Sequence, residues 1–158
     1  MTLQINPILR ATLLASALGA TLAFSACSST PMGAGATPMM ATQNFRATLS
    51  SAAEVPANAS AGTGSLEASY DKASSVLKWK LTYTGLSGAA TMAHFHGPAM
   101  PGANAGVAVP FPSAASPAEG QATLTPAQAA DLVGGKWYVN VHTAQNPGGE
   151  IRGQVLAN

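Results

Sequence analysis

A chain of 158 residues supports one domain, and with seven cationic and six anionic side chains, a formal net charge of +1 and only 8% charged residues, it lacks the basic face that nucleic-acid binding requires. Its single cysteine rules out an internal disulfide and a thiolate metal cluster.

Residues 1–26, MTLQINPILRATLLASALGATLAFSA, carry one cation, Arg10, followed by an uncharged run from Ala11 to Ala26. The run is short for a membrane span and ends in small residues, which reads as a secretory signal peptide. Cys27 stands where it stops, directly after Ser25 and Ala26. That position resembles the bacterial lipobox, although Phe24 occupies the place where the pattern prefers leucine. The resemblance implies lipid attachment at Cys27, with acyl chains holding an exported protein to a membrane of the cell envelope or periplasm. A leader cleaved elsewhere would leave Cys27 a free thiol. Residues 27–43, CSSTPMGAGATPMMATQ, have too little apolar periodicity to offset the entropy of ordering and are expected to form a flexible tether. Met32, Met39 and Met40 are soft donors there, without a packed geometry to hold them together. Loss of the leader removes Arg10 and leaves six charges of each sign.

The domain is expected over residues 44–158. NFRATLS, GTGSLEASYD, SVLKWKLTYTG, TMAHFHG, GVAVPF, GQATL, WYVNVHT and GEIRGQVL are short strand-like segments separated by Gly, Pro, Asn or Ser. In SVLKWKLTY, Leu77, Trp79, Leu81 and Tyr83 fall on one face and Lys78, Lys80 and Thr82 on the other, the pattern of a half-buried antiparallel strand. Val109 before Pro110 marks the end or edge of a strand. TPAQAADLVGG predicts a helix over residues 126–133, with Thr125 as N-cap, Pro126 at the first position, Gln128 completing a capping box and Gly134 or Gly135 as the stop. Phe45, Trp79, Tyr83, Phe95 and Trp137 are expected core aromatics. Glu150 and Arg152 alternate with Ile151 and are expected on a solvated face. The whole is an all-β domain, a Greek-key sandwich or barrel of about eight antiparallel strands with one short helix.

All three histidines fall in two of these segments, TMAHFHG and WYVNVHT. Alternation places Met92, His94 and His96 on one side of the first strand, and Tyr138, Asn140 and His142 on one side of the second, opposite Val139 and Val141. The two sets are expected to converge at one exposed rim. Two imidazoles spaced by two on one strand, with a third from a neighbour, can surround a metal about 2.0 to 2.1 Å from each nitrogen. Imidazole suits copper, zinc, iron and nickel, so the ligand set alone does not choose among them, and Met92 or Met100 is a candidate soft additional ligand. Glu150, close by in sequence, is a candidate general base for a metal-bound water. No GxSxG motif is present, and the GTGS at 62–65 has neither the lysine nor the helix of a phosphate loop.

AHFHGPAMPGANAGV followed by KWYVNVHTAQNPGGEIRGQVL, with FRATLSSAAEVP at the opening, resembles the CHRD domain, named after chordin and found in many bacterial exported proteins. The resemblance covers about residues 45 to 156 and implies an extracellular or periplasmic β-rich module. The order HFHG, VNVH and a GG-containing final strand is also remotely similar to copper/zinc superoxide dismutase. That similarity implies copper ligation by His94, His96 and His142, and makes weak dismutase-like redox activity the best enzymatic expectation. Residues 97–136 contain no histidine for a bridging or zinc site, which argues against a binuclear centre. Three functions follow: a copper-binding or zinc-binding envelope lipoprotein; a non-enzymatic adhesion or interaction module for a protein or glycan partner, with structural histidines; or a weak redox enzyme.

Overall fold

The computed structural model describes residues 42–158; the expected signal peptide, Cys27, and Met32, Met39 and Met40 of the expected tether lie outside the described residues. The chain forms β1 (Thr42–Ser50), a 3-10 turn (Ser51–Ala53), β2 (Thr63–Asp71), β3 (Val76–Thr84), β4 (Ala90–His96), β5 (Val107–Pro110), β6 (Ala118–Thr123), α1 (Pro126–Val133), β7 (Trp137–Thr143) and β8 (Ile151–Ala157). β1 begins earlier than the expected Asn44, because Thr42 and Gln43 pair with Asp71 and Tyr70. The expected helix is present with both halves of its capping box and Pro126 in its first turn. Among the described residues no helix is long and apolar enough to cross a membrane.

All strands belong to one antiparallel sheet in the order β5-β4-β7-β8-β1-β2-β3-β6. A flat sheet of eight strands would separate its edges by about 34 Å. Residues 111–117, which join edge strand β5 to edge strand β6, reach at most about 28 Å when fully extended. The sheet must therefore curl, and it forms a nearly closed barrel. Aromatic contacts across the interior show the closure: Trp79 of β3 meets Phe95 of β4 edge-on at 5.2 Å, and Phe111 of the β5–β6 connection packs on both at 4.7 and 5.0 Å. α1 adds buried Leu132 to the core, and Gln128 donates to the Ala108 carbonyl of edge strand β5.

The alternation read from SVLKWKLTY is realised, with Leu77, Trp79 and Leu81 inside and Tyr83 partly buried. Phe45, Phe95 and Trp137 are core residues, as are Val139, Val141 and Ile151. The expected solvated face of Glu150 and Arg152 is not found, since Glu150 is 0% and Arg152 2% exposed. Ile151 does point inward, but the other side of this region is roofed by two loops. The 97–106 loop is latched across β7 and β8 by Arg152 Nη2 to Ala103 O at 2.7 Å, Arg152 Nη1 to Asn104 Oδ1 at 2.9 Å, and Gln154 Nε2 to Ala99 O at 2.9 Å. Asn104 in turn donates to Val55 O at 2.9 Å, which ties this loop to the segment that carries Glu54.

Candidate metal centre

β4 and β7 pair in register, with Met92 opposite His142, His94 opposite Asn140 and His96 opposite Tyr138. The inward partners Ala93, Phe95, Val139 and Val141 are fully buried in the barrel, so their neighbours are forced to the outer face. One donor nitrogen from each of His94, His96 and His142 lies within 4.8 Å of the others. The structure thus brings together the three histidines expected to meet. The place differs from expectation: antiparallel pairing sets His96 against the start of β7 and His142 against Met92, so the rings meet on the sheet face rather than at a rim. The trio is not an exposed site either. His94 is half-buried, while His96 and His142 are only 8% and 6% exposed.

Each buried ring is held by a backbone carbonyl. His96 Nδ1 lies 3.0 Å from Ala105 O, and His142 Nδ1 lies 2.9 Å from Pro147 O. A carbonyl only accepts, so both Nδ1 atoms carry protons, and in a neutral ring the Nε2 lone pair is left free. His96 Nε2 is buried with no hydrogen-bond partner. His142 Nε2 lies 3.2 Å from His94 Nδ1 and 2.9 Å from Asn140 Oδ1. Metal-ligating histidines commonly show this anchoring of the second ring nitrogen by a carbonyl. Two ligands of one metal at the usual bond lengths sit about 2.9 to 3.4 Å apart, and the His94–His142 separation falls in that range.

Burial pushes the pKa of His94 below its ordinary 6.5, and the nearby His142 and His96 push it the same way. His96 is also lowered, chiefly by burial, against the Ala105 carbonyl that favours its protonated ring. Both shifts favour the neutral imidazole, which is the form that binds a metal.

Tyr138 lies between two groups from the strands that flank β7. His96 stacks on it nearly parallel, 2° between planes and 4.7 Å between centroids, and the Arg152 guanidinium carbon sits 3.4 Å from its ring centre. Met92, opposite His142, is 48% exposed, and Met100 in the 97–106 loop is 61% exposed. The Glu150 carboxylate is engaged elsewhere. It accepts from Ser60 Oγ at 2.6 Å, from Ser87 N and Oγ at 2.6 Å each, and from Thr143 Oγ1. Burial raises its pKa, but these hydrogen bonds outweigh that and bring it to about 2. A carboxylate so depressed and so fully bonded cannot serve as the general base suggested by its position in sequence.

Sequence reasoning passed over Glu54, Tyr138, Asn140 and Arg152 as parts of this site. Alternation had placed Tyr138 and Asn140 on the histidine face, so that signal was present; no local pattern points to Glu54. A surface groove of about 400 Å³ along β1, β2 and β3, lined by Arg46, Glu67, Lys78 and Trp79, is separate from the histidines.

In comparison with known families, residues 45–155, which span β1 to β8 and all three histidines, match the family model described as CHRD domain. No curated protein and no solved structure matches the chain.

Proposed function

Since the chain belongs to the CHRD-domain family, we propose that it is an exported, lipid-anchored member whose three histidines bind one transition-metal ion, copper before zinc. Export and anchoring at Cys27 rest on the leader and the cysteine that follows it. The observation that carries the metal reading is the common arrangement of His96 and His142, each with Nδ1 held by a backbone carbonyl and Nε2 left for another partner. An imidazole set suits both metals, and the general order of divalent affinities puts copper ahead of zinc.

Titration of the protein with Cu(II), Cu(I) and Zn(II), without an affinity tag of histidines, tests this. Stoichiometric binding that disappears in His94→Ala, His96→Ala and His142→Ala alike is the expected result. Binding indifferent to these substitutions refutes it. A second reading, an interaction module with structural histidines, is favoured by the contact of His142 Nε2 with His94 Nδ1, which gives that nitrogen a donor without a metal. Under that reading, replacing all three histidines by glutamine leaves partner binding intact.

A further inference from the structure

Asn140 is 3% exposed and lies on the outer face of β7, directly opposite His94 and two residues before His142. Its Oδ1 is 2.9 Å from His142 Nε2. Its amide also bears on His96, where it favours the protonated ring. Thus the amide oxygen lies against one of the three imidazole nitrogens that sit within 4.8 Å of one another.

That arrangement is electrostatically incomplete. His142 donates through Nδ1 to Pro147 O, so in its neutral form Nε2 is an acceptor; His94 Nδ1 can donate to it, but Asn140 Oδ1 faces it as a second acceptor. Nearby, His96 Nε2 is a third buried acceptor without a partner. Lone pairs brought together in this way call for a cation among them.

The orientation of the amide has its own cause. Glu54 is 7% exposed, and a side chain built on Gly149 would run into both Glu54 Oε1 and Asn140 Nδ2, so carboxylate and amide nitrogen border the same small space. Oε1 of Glu54 is buried and makes no hydrogen bond; burial raises the pKa of this carboxyl, and the Asn140 amide beside it works against that rise by favouring the carboxylate. A carboxylate behind the NH2 group turns the carbonyl oxygen toward the histidines, the role an outer carboxylate plays behind a metal ligand.

We propose that Asn140 Oδ1 is a fourth donor to the metal held by His94, His96 and His142, with Glu54 as the positioning residue that fixes its amide. The inference rests on the metal-binding reading above and deepens it: three nitrogens and one oxygen make a site for a divalent ion, Cu(II) or Zn(II), more than for Cu(I), which prefers sulfur donors.

The test uses the full chain loaded with Cu(II), Zn(II) or Cu(I). Asn140→Leu, which removes the oxygen at similar volume, is expected to weaken Cu(II) binding about 10- to 100-fold and to alter the copper electron paramagnetic resonance spectrum. Asn140→Asp, which keeps an oxygen, restores binding, and Cu(I) affinity is unchanged in both. Glu54→Gln weakens Cu(II) binding less than Asn140→Leu does. Should Asn140→Leu fail to fold, wild-type protein carrying 13C in its asparagine side-chain carbonyls provides the same decision, because direct coordination gives a strong 13C hyperfine coupling to Cu(II). Wild-type affinity and spectrum in Asn140→Leu, or no such coupling in the labelled protein, overturns the Asn140 assignment while leaving the histidine site standing. Failure of the wild-type chain to bind any of the three ions overturns both.

Discussion

Glu150 shows how far a single residue's environment can depart from its sequence pattern. Alternation with Ile151 set it outward, correctly in direction, yet Ser60, Ser87 and Thr143 converge on it and exclude water. No local signal announces which outward faces a loop will cover, and Arg152 was misjudged for the same reason. The histidines were legible because the chain has only three and alternation sets their faces; Glu54 was not, because it reaches the site from a loop far away in sequence. The folded pKa of Glu150 is about 2 against an ordinary 4.5, so the folded state binds fewer protons than the unfolded state in that window. Its contribution, about 3 kcal/mol, is complete above pH 4.5 and is lost as the pH falls toward and through about 2. Urea denaturation of Glu150→Gln at pH 7 and pH 3 checks this: the variant should be less stable at pH 7 and lose less stability between the two. Equal losses in variant and wild type would disprove the assignment.

At the level of elements, the strands and helix were readable because alternation, turn residues and the capping box agree with one another. What alternation could not decide was sandwich against barrel, which depends on the span of connections such as 111–117. Nor could it place the histidines correctly along the strands, since that requires the β4–β7 register. The 97–106 loop, which begins at Gly97, supplies the Ala105 carbonyl that holds His96. Gly97 packs flat against Trp137, and a Cβ there would collide with the indole. Trp137 is 1% exposed and packs on Phe95, so it has little room to yield. Gly97→Ala is therefore expected to cost about 1 to 3 kcal/mol and to weaken metal binding through displacement of Ala105. Thermal melting and copper titration of the variant measure the two effects; unchanged values of both would show that the loop adjusts freely.

For the molecule as a whole, the pairing of β1 with β8 is decisive. Phe45 lies opposite Ala157 and Arg46 opposite Leu156, so one of the first described strands is bonded to the last. β8 also pairs with β7, which carries His142 and Asn140. A chain ending at Glu150 would leave both β1 and β7 as bare edges and is expected to show no cooperative melting transition; a sharp one would mean that the seven remaining strands suffice. During synthesis β1 can pair with β2 early, but its ladder with β8 must wait for residues 151–157, and such high contact order makes for slow folding. The histidines impose a shorter requirement: β7 must pair with β4 before His142 meets His94 and His96, so under the metal-binding proposal an ion is captured by folded strands, not by the extended polypeptide.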